Sequence, residues 1–326
     1  MHQQDKTRQR PQTLFDMLCT MSYASSLDLM SSRLHLHEAA YGCGAHPSIS
    51  RACFFHHLNT DQLTMLKFSA NLSMLFCEYP LLERFAIARQ FGFDAVEIQF
   101  PYDTDVLKIK AELDKHQLKL VLINLPAGDL MQGGNGLAGV PGREHLFRQA
   151  LFEGLHIARA LDVPTINILA GRQPIDADLL PCLETLAANL RYAVRECIAD
   201  GIQPVIEAIN NKDMPRFLIQ DIAQMQEMRE AVGMPELKMQ YDCYHMAMMG
   251  EDIADGLAQN LPDIGHIQFA DYPHRHEPET GDINFAEIFE VISQSDYQGW
   301  CGAEYRPSKT TTATLGWMAR YQDQQR

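Results

Sequence analysis

Four oxygen-bearing side chains, Glu207, Asp242, Gln268 and Glu304, stand near the ends of short apolar runs in the second half of the chain, in VIEAI, KMQYD, HIQF and GAEY. They are separated by 35, 26 and 36 residues, each about one strand, one loop and one helix of a βα unit. That spacing predicts four successive strand ends that converge on one pocket. Carboxylates gathered there could exchange protons with a small substrate or hold a hard cation. Four unrelated structural polar groups are the plainer reading, but a core avoids glutamates because an unpaired buried charge is costly.

The elements that must position these residues begin at Met65. Strand-like segments at 66–74, 95–100, 118–124, 165–170, 203–209, 238–242, 265–270 and 299–305 alternate with amphipathic runs such as LLERFAIARQFG and EHLFRQALFEGLHIARALD. Eight alternations predict a TIM (β/α)8 barrel in preference to an open doubly wound sheet. The two-residue period of a strand then groups Val205 with Glu207 and Ile209, His266 with Gln268, and Gly302 with Glu304 and Arg306. In each group the polar member lies toward the C-terminal end, where barrels of this kind place their chemistry. Cys243, adjacent to Asp242, is sent to the opposite face as core filler.

Residues 1–64 have another texture, rich in His and Ser without a sustained period, and are expected to form a poorly structured N-terminal extension to a barrel domain at 65–326. A short helix within 13–30 is expected there. His35, His37, His46, His56 and His57 with Cys43 and Cys53 match no zinc spacing. The net charge of −15 argues against a phosphate-tracking groove and hence a nucleic-acid partner. No stretch approaches a membrane span of about 18 apolar residues, and no secretory leader pattern opens the chain, so a soluble cytoplasmic protein is expected. The eight cysteines show no CxxC pair and read as reduced thiols. GNGLAG at 134–139 fits GxGxxG but lies in a long loop, where a lid over the pocket is the better reading than a dinucleotide site.

From Met65 to about Tyr321 the chain resembles the hydroxypyruvate isomerase family of the xylose isomerase-like barrels. The stretches that carry the resemblance are FSANLSMLF, VEIQFPYD, NLPAGD, GVPGREHLFR, NLRYA, IEAIN, QYDCYHMAMM, IGHIQFADYPHRHEP, GDINF and YQGWCGAEYRP. The family's usual start falls at MLKFSANLS, which makes residues 1–64 look like an added segment or an upstream start assigned in error. The resemblance implies interconversion of hydroxypyruvate and tartronate semialdehyde (2-hydroxy-3-oxopropanoate) through an enediolate. It equally accommodates an isomerase or epimerase of a related 2-oxo acid, such as a 2-oxo-tetronate, or of a ketose.

The resemblance makes Glu207 and Glu304 the acid/base pair and completes an oxygen ligand set with Asp242 and Gln268 for a divalent metal, Mg²⁺ or Mn²⁺. Many sugar epimerases of the superfamily have histidine at the position of Gln268, so the metal requirement stays open. The small hydroxy or oxo acid would need a cation for its carboxylate. Arg275 is the first choice and Arg306 the second, with His274 and His276 nearby and Arg306 alternatively orienting Glu304. His245 could bond a substrate hydroxyl, His266 reads as a core residue, and Glu97 as support for the pocket floor. A homo-oligomer is compatible with all of this. A metal-dependent phosphodiesterase like the abasic-site endonucleases, or a non-catalytic binding barrel, are the readings from other classes.

Overall fold

The structure is a computed structural model and describes residues 65–323. The expected N-terminal extension, its short helix and its His/Cys cluster lie outside the described residues. Strands β1 (Phe68–Asn71), β2 (Ala95–Ile98), β3 (Lys119–Asn124), β4 (Thr165–Ile168), β5 (Gln203–Glu207), β6 (Lys238–Asp242), β7 (Ile264–Phe269) and β8 (Cys301–Ala303) form a closed parallel barrel in chain order. All eight expected strands are present. Several are shorter than their apolar runs, because the last residues of each run leave the ladder and build the mouth of the barrel.

Helices α1 (Leu81–Gln90), α2 (Val106–His116), α3 (Glu144–Ala160), α4 (Leu179–Ala199) and α5 (Ile222–Val232) follow the first five strands. After β6 come α6 (Cys243–Met249) and α7 (Ile253–Asn260); α8 (Phe285–Ser293) and α9 (Gly316–Asp323) follow β7 and β8. Helix α6 is the one the apolar pattern does not announce. It begins directly at the end of β6 because Asp242 caps it, Oδ1 accepting from the backbone N–H of Tyr244 at 2.8 Å and of His245 at 3.4 Å. One side chain thus ends a strand and starts a helix, which turns His245 back toward the barrel mouth.

The closing seam between β8, β1 and β7 is packed by aromatic residues. Phe68 meets Phe269 and Trp317 edge to face at 6.0 and 5.1 Å between ring centres, and Phe269 meets Phe289 at 5.4 Å. Such pairs each add about 0.5–1.5 kcal/mol beyond the area they bury. Strand alternation that sends Phe269 outward to this cluster turns its neighbour Gln268 inward. Cys243 is likewise fully buried and has no partner thiol among the described residues.

Candidate active site

A cavity of about 280 Å³ opens at the C-terminal mouth of the barrel, small by the standard of ligand pockets. Glu207 from β5 and Glu304 just beyond β8 both line it, together with His245, Arg275 and Arg306. Five of the seven residues expected at the site therefore face one space. Asp242 and Gln268 do not line it and are buried behind its wall. His274 and His276 lie outside the cavity with their rings tilted against each other, 5.7 Å between centres, and His276 Nδ1 lies 2.8 Å from the Arg306 carbonyl oxygen.

The two glutamates are each held by side-chain amides. Asn167 Nδ2 donates to Glu207 Oε2 at 2.7 Å, and Gln99 and Asn71 donate to Glu304 Oε1 at 2.7 and 3.0 Å. Arg275 Nη2 lies 2.5 Å from the other oxygen, Glu304 Oε2, and 3.6 Å from Asp242 Oδ2. None of these amides was singled out from the sequence. A signal was present nonetheless: Asn71, Gln99, Asn124 and Asn167 sit at or beside the ends of β1 to β4, one per strand. The first half of the barrel supplies amides and the second half supplies the carboxylates that they orient.

Burial sets the electrostatics. Glu207 is pushed well above the usual carboxylate range, first by loss of water and then by the charges of Glu304 and Asp242. Desolvation also raises Glu304, to about 7, with Arg275 pulling in the opposite direction. His245 is pushed down to about 4, mainly by burial, so its ring is neutral near pH 7. Asn210 identifies the tautomer. Its Oδ1 accepts from the backbone N–H groups of Lys212 and Asp213, which leaves Nδ2 to donate to His245 Nδ1 at 2.7 Å. The proton of the neutral ring is consequently on Nε2, 3.6 Å from Asp242 Oδ2 and 3.9 Å from Glu207 Oε1.

Glu207, Asp242 and His245 bring one potential ligand atom each to within 4.8 Å of one another. Asp242 Oδ2 is a buried carboxylate oxygen that no hydrogen-bond donor among the described residues satisfies. An oxygen-seeking divalent ion would satisfy it, and Glu207 and Asp242 fit such an ion. His245 suits it less well, because its Nε2 carries the proton in this hydrogen-bond pattern.

Gln268 belongs to a second layer organised by Glu97. As a carboxylate, Glu97 accepts from Ser69 Oγ at 2.6 Å, His266 Nε2 at 2.8 Å, Gln268 Nε2 at 2.7 Å and Asn71 Nδ2 at 3.4 Å. Four donors offset the cost of a side chain that has no exposed surface. Since Glu97 engages the Gln268 amide nitrogen, the amide oxygen turns away and accepts from Gln240 Nε2 at 2.6 Å. Gly302, on β8, makes room for this carboxylate, as a Cβ there would collide with Glu97. The pocket-floor reading of Glu97 thus acquires specific contacts, and through Asn71 the floor connects directly to Glu304.

The loop between β3 and α3, read as a lid, places Leu130 and Met131 against the cavity. It is fastened by an ion pair between Arg143 and Asp129 at 3.0 Å, and Asp129 Oδ1 also accepts from the Gly136 N–H at 2.8 Å. The sequence GNGLAG builds this clasped cover and follows no strand-to-helix turn, so it has none of the geometry of a dinucleotide site.

The model of the xylose isomerase-like TIM barrel family matches residues 85–321. Hydroxypyruvate isomerase of Escherichia coli (strain K12) is 46% identical over 257 residues, covering 79% of this chain and all of that protein. The 2-oxo-tetronate isomerase of Cupriavidus necator is 41% identical over 257 residues, covering 79% of this chain and 99% of that protein. Among solved structures, an AP endonuclease, family 2, from Brucella melitensis superimposes with a TM-score of 0.76 at 38% identity, over 79% of this chain and 99% of that one. Closed parallel barrel, site at its C-terminal mouth and matched sequence agree: the chain belongs to the xylose isomerase-like TIM barrel family.

Proposed function

We propose that the protein is an isomerase of a small 2-oxo acid, with hydroxypyruvate as first candidate and a 2-oxo-tetronate as second. The observation that carries this reading is the pair Glu207 and Glu304, which line one cavity of about 280 Å³ and are each oriented by amide donors. The identity to isomerases of both substrates supports it.

Conversion of hydroxypyruvate to 2-hydroxy-3-oxopropanoate moves one carbon-bound proton from C3 to C2 and one hydroxyl proton from O3 to O2. One glutamate takes the C3 proton, the electron pair flows into an enediolate, and the other glutamate returns a proton to C2. His245 and Arg275 line the same cavity, and the His245 Nε2–H and the Arg275 guanidinium would serve as donors to the substrate oxygens on which negative charge develops. Glu207 and Asp242 would hold a divalent metal, Mg²⁺ or Mn²⁺, which when bound would stabilise charge on the substrate oxygens. Glu304 and Gln268 would join that set only after leaving Arg275 and Gln240.

A phosphodiesterase of the abasic-site class would need a basic groove for a polyanion. Here buried Glu207 and Glu304 line the cavity, with Asp242 buried behind its wall, and the chain carries a net charge of −15. No helix among the described residues is long and apolar enough to cross a membrane. A cytoplasmic enzyme whose barrel, residues 65–326, is the catalytic unit, either alone or as a homo-oligomer, completes the proposal. The test is product analysis on hydroxypyruvate beside four-carbon 2-oxo acids, before and after chelation and metal add-back. Absence of isomerised product from every such acid would refute the reading.

A further inference from the structure

We propose that Arg172, in the loop after β4, binds the carboxylate of the substrate. The proposal rests on the isomerase reading, since a 2-oxo acid brings a full negative charge into a cavity that already holds two glutamates. Such an anion needs a cation that is not already matched by a carboxylate of the protein.

Three arginines line the cavity: Arg172, Arg275 and Arg306. Arg275, the first choice from sequence, is engaged by Glu304 at 2.5 Å and Asp242 at 3.6 Å, and its Cζ sits 5.1 Å over the Tyr244 ring. Arg306 is exposed at the rim. Arg172 has no carboxylate within 4.0 Å among the described residues. Its Nη1 donates to the Gly134 carbonyl oxygen at 3.3 Å, and its Nε, like that of Arg275, is shut away from water with no acceptor among the described residues, so it is the missing carboxylate that sets Arg172 apart. A buried guanidinium N–H left without an acceptor is an unfavourable arrangement that an incoming carboxylate would relieve, and the guanidinium fork matches a carboxylate through two parallel bonds.

The backbone beneath Arg172 is clamped on both sides. Its N–H donates to Asn135 O at 2.9 Å; Leu218 N donates to Gly171 O, and Gln173 N to Arg216 O, both at 2.9 Å. Gly171 has φ +87°, and a Cβ there would come within 2.6 Å of Asn135 O, so only glycine permits this close join between the loops after β3 and β4. The clamped backbone fixes where the side chain starts, and the bond from Nη1 to Gly134 O already restrains its far end.

The experiment compares wild type, Arg172→Gln, Arg172→Lys and Arg306→Gln in steady-state kinetics with hydroxypyruvate, and in calorimetric titration with tartronate, a non-isomerising dicarboxylate. The proposal expects Arg172→Gln to raise KM and the tartronate Kd about 10- to 100-fold with kcat within about threefold. Arg172→Lys should fall between, and Arg306→Gln, at the exposed rim, should cost less affinity than Arg172→Gln. Unchanged affinity in Arg172→Gln, or a loss confined to Arg306→Gln, overturns it. If Arg172→Gln does not fold, Arg172→Lys decides: severalfold weaker binding supports the assignment and unchanged binding overturns it. If the wild type isomerises no 2-oxo acid, the functional reading fails by itself. The tartronate titration still judges Arg172, by loss or retention of binding in the variants.

Discussion

Arg275 and Glu304 form the closest charged contact in the cavity, with Nη2 and Oε2 2.5 Å apart, and the same guanidinium stands 3.6 Å from Asp242. The site therefore carries its own cation against the acid/base pair. Removing it would leave Glu304 with its amide donors but without a cation to offset Asp242 and Glu97, so its pKa would rise further above the value of about 7 that burial sets against Arg275. Arg275→Gln should lower kcat by about 10- to 100-fold and, with Glu304 required as carboxylate, move the acid limb of the pH–rate profile to higher pH. An unshifted limb in the profile of kcat/KM would count against this coupling.

Stability should depend on pH in the direction opposite to that of an ordinary paired carboxylate. Glu207 and Glu304 both have folded values raised above the unfolded 4.5. Their contribution is therefore fully present below about pH 4.5 and is lost as pH rises through the folded values, for Glu304 on the order of 3 kcal/mol across the shift to about 7. In chelator-treated protein, Glu207→Gln should raise Tm by several degrees at pH 8 and by much less at pH 5. Thermal melts at the two pH values check this, and equal effects at both would contradict it.

Glu97 and Gly302 fit together as group and space. Gly302→Ala should push Glu97 off its four donors and destabilise the fold by about 1–3 kcal/mol in urea titration. Glu97→Gln keeps the volume but puts a donor among donors. It should reduce kcat about tenfold with little change in KM, through Asn71 and Glu304.

Metal binding and the His245 contact should separate. Asp242→Asn replaces the unsatisfied carboxylate oxygen with an amide, still able to cap α6, and should weaken Mn²⁺ binding at least about tenfold. His245→Asn should lower kcat while leaving Mn²⁺ affinity within about threefold, because Nε2 carries a proton in the present network. Titration followed by paramagnetic resonance distinguishes the two. Loss of Mn²⁺ binding in both variants would restore His245 to the ligand set.

The barrel was legible because period-two apolar runs and amphipathic helices repeat eight times, and the parity of Glu207, Gln268 and Glu304 along their strands predicts which side chains turn inward. Depth was less legible. Gln268 has inward parity, yet its amide is occupied by Glu97 and Gln240, contacts that come from β2 and β6 and leave no local trace. Asn71, Gln99 and Asn167 are harder to read, because a lone amide at a strand end is as readily a turn former. Arg172 sits in a loop, and its importance depends on Arg275 already being taken. Helix α6 is too short for periodicity to reveal, and only the Asp242 cap marks its start.

In the proposed mechanism Glu207 and Glu304 act on one substrate from two walls of a single cavity. Turnover of hydroxypyruvate by Glu207→Gln and Glu304→Gln, measured singly by NMR of substrate and product with thermal melts to confirm folding, tests it most directly. Each folded variant is expected to lose at least about a thousandfold in kcat. Either one retaining turnover within about tenfold of wild type would contradict it.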